Sequence, residues 1–196
     1  MNRLLGSLLA GCSIVLGSPS FAASVAGTVS VNGRPAADAV VYLEHAGDAA
    51  PAPATSRAVM DQRNLEFVPR LLPVVRGTTI EFTNSDDIQH NVFSPSAAAG
   101  KFDLGTYGPG ADRTITLDNP GEVRVLCNIH MEMEARILVL RDPYFARTAD
   151  DGAYRIAAVP AGAYTAKVWQ DGFLAKTLTV DIPEQGDLTL DLQVGR

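Results

Sequence analysis

Four side chains able to hold a soft metal ion fall into one short pattern plus one upstream partner. Cys127, His130 and Met133 form C-x2-H-x2-M, and His90 precedes them in the chain. One thiolate, two imidazoles and a thioether make up the donor set of a type 1, or blue, copper centre. Sulfur favours Cu(I), and imidazole is accepted by both oxidation states. A trigonal thiolate–bis-imidazole plane with a weak axial thioether therefore changes little when an electron arrives. The spacing suits such a site, with three donors on one tight loop and the fourth on a separate strand. Met131, in the same loop, is a second thioether that can compete with Met133 for the axial place, and Glu132 adds a charge between them. The chain has three histidines in all, so a second histidine cluster for multicopper catalysis is excluded.

The flanks must position this loop. Val123-Arg124-Val125-Leu126 leads into Cys127 as a strand, Ala135-Arg136-Ile137-Leu138-Val139-Leu140 leaves it as another, and Gly121 supplies the preceding turn. Alternation and short apolar runs predict further strands at 25–31, 39–43, 57–62, 71–75, 78–83, 90–93, 113–117, 153–156, 164–169, 175–180 and 188–192. Many short strands separated by Gly, Pro, Asn and Asp turns indicate an all-β sandwich or barrel. The apolar residues show no long helical period. His45 reads as a surface histidine, and Trp169 and Phe173 as packing residues. Asp86-Asp87 lacks the spacing of a calcium loop and reads as a solvated turn.

The four-donor pattern, with His90-Asn91-Val92 and the approach Gly77-Thr78-Thr79-Ile80-Glu81-Phe82-Thr83-Asn84-Ser85-Asp86, resembles the cupredoxin family over residues 59–140. Within it, the short loop resembles amicyanin and related methylamine-utilisation-type proteins. The resemblance implies a Greek-key cupredoxin sandwich with His90, Cys127 and His130 as strong ligands and Met133 as the axial one. It also implies that Asn91 braces the ligand loops near the cysteine sulfur. Met131 stands where related loops often carry a proline, whose ring would stiffen the loop.

A second pattern runs through Thr148, Asp150-Asp151-Gly152, Tyr154, Ile156, Val159-Pro160-Ala161-Gly162, Tyr164 and Val168. It resembles the carboxypeptidase-regulatory-like, or transthyretin-like, β-sandwich. The usual opening of such a domain, G-x-V and then P-x-x-x-A-x-V, matches Gly27-Thr28-Val29 and Pro35 to Val41, far upstream. The expected organisation is a copper-binding domain over 56–140 between two parts, 24–55 and 141–196, of one small sandwich. If so, the strand at Thr28 or Val41 shares a sheet with strands from 150–192. The plainer alternative has the first two strands extending the central domain.

Residues 1–22 read as an export signal, with Asn2-Arg3, an apolar run, and small residues at Ser20 and Ala22 before a cut. The run is too short to span a bilayer comfortably, so the mature chain is expected to carry no transmembrane segment. Leu9-Ala10-Gly11-Cys12 resembles a lipobox, which would anchor the protein through Cys12. The apolar Ile14-Val15-Leu16 that follows favours the soluble periplasmic form. The mature chain then keeps Cys127 as its one thiol.

The formal net charge is −6, from 16 Lys and Arg against 22 Asp and Glu, with no basic cluster to neutralise phosphates. Nucleic-acid binding is thereby disfavoured. Such a surface would steer a basic redox partner. The expected function is that of an exported, non-enzymatic single-electron carrier with one Cu+/Cu2+ ion and a periplasmic redox protein as partner. Copper storage or delivery, and a non-redox binding or structural role, are the alternatives.

Overall fold

A computed structural model describes residues 23–47, 52–97, 100–171 and 177–195. The expected leader at 1–22 with Cys12, and Phe173, lie outside the described residues. Among those described there is no helix, and the fold is all-β. The strands, in chain order, are β1 (Ala23–Val31), β2 (Arg34–Pro35), β3 (Val40–His45), β4 (Arg57–Arg63), β5 (Glu66–Val68), β6 (Leu71–Val75), β7 (Thr78–Asn84), β8 (His90–Ser94) and β9 (Phe102–Tyr107). They continue as β10 (Asp112–Leu117), β11 (Gly121–Leu126), β12 (Glu134–Leu140), β13 (Tyr144–Arg147), β14 (Ala153–Val159), β15 (Gly162–Trp169), β16 (Thr177–Ile182), β17 (Asp187–Thr189) and β18 (Leu192–Val194).

Two sheets enclose the core that concerns the metal-ligand motif. One has the order β10-β7-β4-β5 and the other β6-β12-β11-β8-β9. β7 alternates strictly between buried and half-buried positions, so Ile80 and Phe82 point inward. Val123 and Val125 do the same on β11, while Glu122 and Arg124 face outward. Met60, Phe67, Ile80, Phe82, Val92 and Ile137 fill the space between the sheets, and Cys127 and Met133 close its end.

The other two sheets join distant parts of the chain. β1 pairs antiparallel with β14 and parallel with both β17 and β18. β3 lies between β13 and β15. Val25, Val29, Val41 and Leu43 from the first fifty residues therefore share a core with Tyr154, Ile156, Tyr164 and Leu192. A smaller cluster of Val40, Leu71, Leu138 and Leu140, with Tyr42, Phe145 and Trp169 against it, joins the two cores. This explains why β12 loses its alternation after Arg136: its far end is covered on both faces.

The expected strand at 188–192 is broken in two. The Leu190 carbonyl lies over Gly27, where a Cβ would come within 2.1 Å of its oxygen. Leu190 N–H donates to Ala26 O, and Asp191 Oδ1 accepts from the amide and hydroxyl of Thr28. The chain thus crosses from one pairing with β1 to another at a point where only glycine leaves room. The sequence reading also leaves out β2, β5, β9 and β13, whose short or mixed-polarity segments carry little periodic signal.

Thr148 ties the two ends of the chain together. Its buried hydroxyl accepts from Ala39 N–H at 2.9 Å and donates to Ala36 O at 2.5 Å. Thr148→Val keeps the shape but leaves both backbone groups buried without that partner. The substitution is expected to cost about 2 kcal/mol. In thermal unfolding this is a fall in Tm of roughly 4–8 °C for a domain of this size, and an unchanged Tm would contradict the role given to this hydroxyl.

Candidate metal centre

The loop 127–133 is closed by its own backbone. The β11–β12 ladder ends at Leu126 opposite Glu134. Cys127 N–H then donates to Met133 O at 3.3 Å, and Met133 N–H to His130 O at 3.1 Å. This closure turns the side chains of Cys127 and Met133 into the core and leaves His130 half-buried at the rim. His90 opens β8, opposite Tyr107 of β9, and is completely buried.

The three strongest donors converge. The ligating atoms of His90, Cys127 and His130 all lie within 4.8 Å of one another. The two Nδ1 atoms are 3.1 Å apart, with the rings edge-on. Nitrogens each about 2 Å from one ion are roughly 3.5 Å apart at a trigonal angle, and closer at a tetrahedral one. The observed spacing fits a pair of imidazoles facing a single ion, and the thiol supplies the soft donor that copper favours. Met133 is 1% exposed and shares the core cluster with Cys127, whereas Met131 is 82% exposed. Only Met133 is on the buried side of the loop.

Asn91 is buried and reaches the loop. Its Nδ2 donates to Asp103 Oδ1 at 2.9 Å, which aims its Oδ1 at the N–H of Asn128, 3.4 Å away and next to Cys127. Asp86 is the residue that the sequence reading missed. It is half-buried rather than part of a solvated turn, and its Oδ2 is 2.8 Å from His90 Nε2. An Asp four residues before a buried His was the available signal. Burial alone would raise its pKa. The N–H of Leu65, the His90 contact and the N–H of Asn64 outweigh that and hold the carboxyl below the usual range. Asp87 is exposed.

The outer face of the hairpin carries a ladder of charges. Arg124 grips Glu134 through two hydrogen bonds of 2.8 and 2.7 Å, and Glu134 also contacts Arg136. Arg136 Nε pairs with Glu122 at 2.7 Å, and Glu122 accepts from Trp169 Nε1 at 3.0 Å. The hydrogen bonds from Arg124 act against burial and, with help from Arg136, bring the Glu134 carboxyl down to about 2. Trp169 is a packing residue, half-buried against the hairpin, and His45 is exposed with its ring edge-on to Tyr164.

Residues 54–140 match the family model of copper binding proteins, plastocyanin/azurin family. This part of the chain is a cupredoxin domain. Among solved structures, the chain is similar to a reduced amicyanin variant at 20% identity, covering 44% of this chain and 85% of that one, with a TM-score of 0.41. It is similar to a purple cupredoxin from Nitrosopumilus maritimus at 18% identity, covering 43% and 99%, with a TM-score of 0.37. A copper-containing nitrite reductase from Thermus scotoductus SA-01 matches at 25% identity and a TM-score of 0.42, over 50% of this chain but only 25% of the reductase. No curated protein matches the chain. Outside the cupredoxin domain, residues 141–190 match the model of polysaccharide lyase family 4, domain II. That match does not show the carboxypeptidase-regulatory-like resemblance read from the sequence.

The burial difference within the loop gives a direct check on the two thioethers. Under limited peroxide, the metal-free protein is expected to form sulfoxide at Met131 well before Met133, read by peptide mass spectrometry. Equal rates would contradict the buried placement of Met133.

Proposed function

We propose that His90, Cys127, His130 and Met133 bind one copper ion as a type 1 centre, and that the protein is a single-electron carrier rather than an enzyme. The observation that carries this reading is the convergence of two imidazole Nδ1 atoms and one thiol at the buried end of a cupredoxin core. Copper would supply a one-electron Cu(I)/Cu(II) couple. The protein's part is to hold the donors in one arrangement that serves both oxidation states, so that little reorganises on transfer. Buried Cys127, His90 and Met133 keep water from the donors, and half-buried His130 offers the edge through which an electron would pass to a docked partner.

The rest of the reading concerns setting. The export signal read at 1–22 supports a periplasmic setting, with lipid attachment through Cys12 as the competing form. No helix among the described residues is long and apolar enough to cross a membrane. The net charge of −6 suits a periplasmic redox partner with a basic docking surface. The shared core of 23–43 and 154–194 supports a discontinuous sandwich into which the cupredoxin domain is inserted.

Copper-loaded protein is expected to show an intense visible band from thiolate-to-copper charge transfer, and Cys127→Ser to abolish it. Met133→Leu should keep both copper and colour while raising the reduction potential, because loss of the axial donor disfavours Cu(II). Met131→Leu should leave the potential unchanged. Copper binding without an intense band would overturn the electron-carrier reading and favour copper storage or delivery.

A further inference from the structure

We propose that Asp86 is a positioning residue for the copper site, acting through His90, and that the β4–β5 turn exists in its present form to hold that carboxylate. The inference rests on the reading of His90 as a copper ligand.

Three donors converge on the Asp86 carboxylate. Its Oδ1 accepts from Asn64 N–H at 2.6 Å, and its Oδ2 from Leu65 N–H at 3.1 Å and His90 Nε2 at 2.8 Å. The Asp86 backbone is itself fixed, since its N–H donates to Asn84 Oδ1 at 3.0 Å while Asn84 Nδ2 donates to Ile88 O at 2.9 Å. An ionised carboxylate only accepts hydrogen bonds. The neutral His90 ring must therefore carry its proton on Nε2, which leaves the Nδ1 lone pair facing His130 and Cys127. The opposite tautomer would place a proton where the metal belongs. A carboxylate behind an imidazole also makes the ring a stronger donor.

The turn that supplies the two N–H groups is strained. Arg63 pairs with Glu66, so Asn64 and Leu65 form a two-residue hairpin loop, with φ of 56° and 62°. Asparagine tolerates this region, but the second position normally takes glycine. A leucine there costs stability. Strain of this kind persists where neighbours over-determine it and marks functional sites. Here the over-determining contact is the Asp86 carboxylate.

No amide can replace it. With its oxygen toward His90 and Leu65, the Asp86→Asn side chain would aim its NH2 at the Asn64 N–H. Flipped, it would aim the NH2 at Leu65 N–H and His90, driving the His90 proton onto Nδ1. Long-range proton–nitrogen NMR of the metal-free full chain reads the tautomer without copper. The wild-type protein is expected to show His90 as the Nε2–H form, and Asp86→Asn to shift it toward Nδ1–H. In the copper-loaded variant, Cu(II) affinity should fall about 10–100-fold. A tenfold loss confined to Cu(II) raises a one-electron potential by about 59 mV.

An Nδ1–H tautomer in the wild type would overturn the proposal. So would an Asp86→Asn protein that loses stability but keeps the wild-type tautomer, copper affinity and potential, since that is what a purely structural aspartate would do. If the variant does not fold, the wild-type tautomer still decides. Failure of copper colour in the wild type would count against the copper reading alone, because the tautomer is measured without metal.

Discussion

An imidazole that is wholly buried must have both ring nitrogens satisfied, because a polar group removed from water without a partner costs several kcal/mol. His90 meets this demand in two directions. Asp86 takes one nitrogen and His130 faces the other, with the Cys127 sulfur close by. Neither partner can be moved without leaving the ring nitrogen it faces unsatisfied in an apolar core. The orientation of the ring is thereby set by its own hydrogen-bonding needs, and with Nε2 occupied by Asp86 it is Nδ1 that is turned toward His130 and Cys127.

Holding the loop is a different task from holding His90. The loop caps the β11–β12 ribbon within the five-stranded sheet, and its position depends on keeping those two strands in register. On the inner face, Val123, Val125, Ala135 and Ile137 are buried against the opposite sheet. On the outer face, Arg124 and Arg136 stand directly opposite each other and are reconciled by Glu122 and Glu134 on the diagonals. Exposed ion pairs are individually worth little, so this ladder is better understood as fixing the ribbon's lateral position than as a source of stability. The apolar contact of Leu138 and Leu140 with Val40 and Trp169 contributes more, since each fully buried aliphatic side chain is worth about 1.5–3 kcal/mol. Through this contact the second core bears on the far end of the same ribbon that carries Cys127, His130 and Met133.

Much of this was legible in the sequence, and the reason is chemical. Cysteine, histidine and methionine at short spacing on a strand-loop-strand segment are few enough in this chain that their pattern stands out, and three of those donors meet as the spacing suggested. Strands such as β7 and β11 have one face buried and one open, so their alternation shows in the letters. The break between β17 and β18 was not legible, because it depends on a carbonyl lying over the bare Cα of Gly27, a contact between residues far apart in the chain. Asp86 was misread for a similar reason. A pair of aspartates in a polar turn is usually solvated, and the hydrogen bonds that distinguish Asp86 come from a hairpin whose strand β5 is only three residues long. Met133 was put on the axis rather than Met131 through the family resemblance, since both carry a thioether, and loop closure shows that Met133 is the buried one.

The donor set itself can be located directly. A crystal structure of the copper-loaded full chain, with anomalous differences collected at the copper edge, should show one peak bounded by His90 Nδ1, His130 Nδ1 and Cys127 Sγ, with the Met133 sulfur on its axis. A peak held by Met131, or one that leaves Cys127 or His90 unligated, would contradict the centre described above.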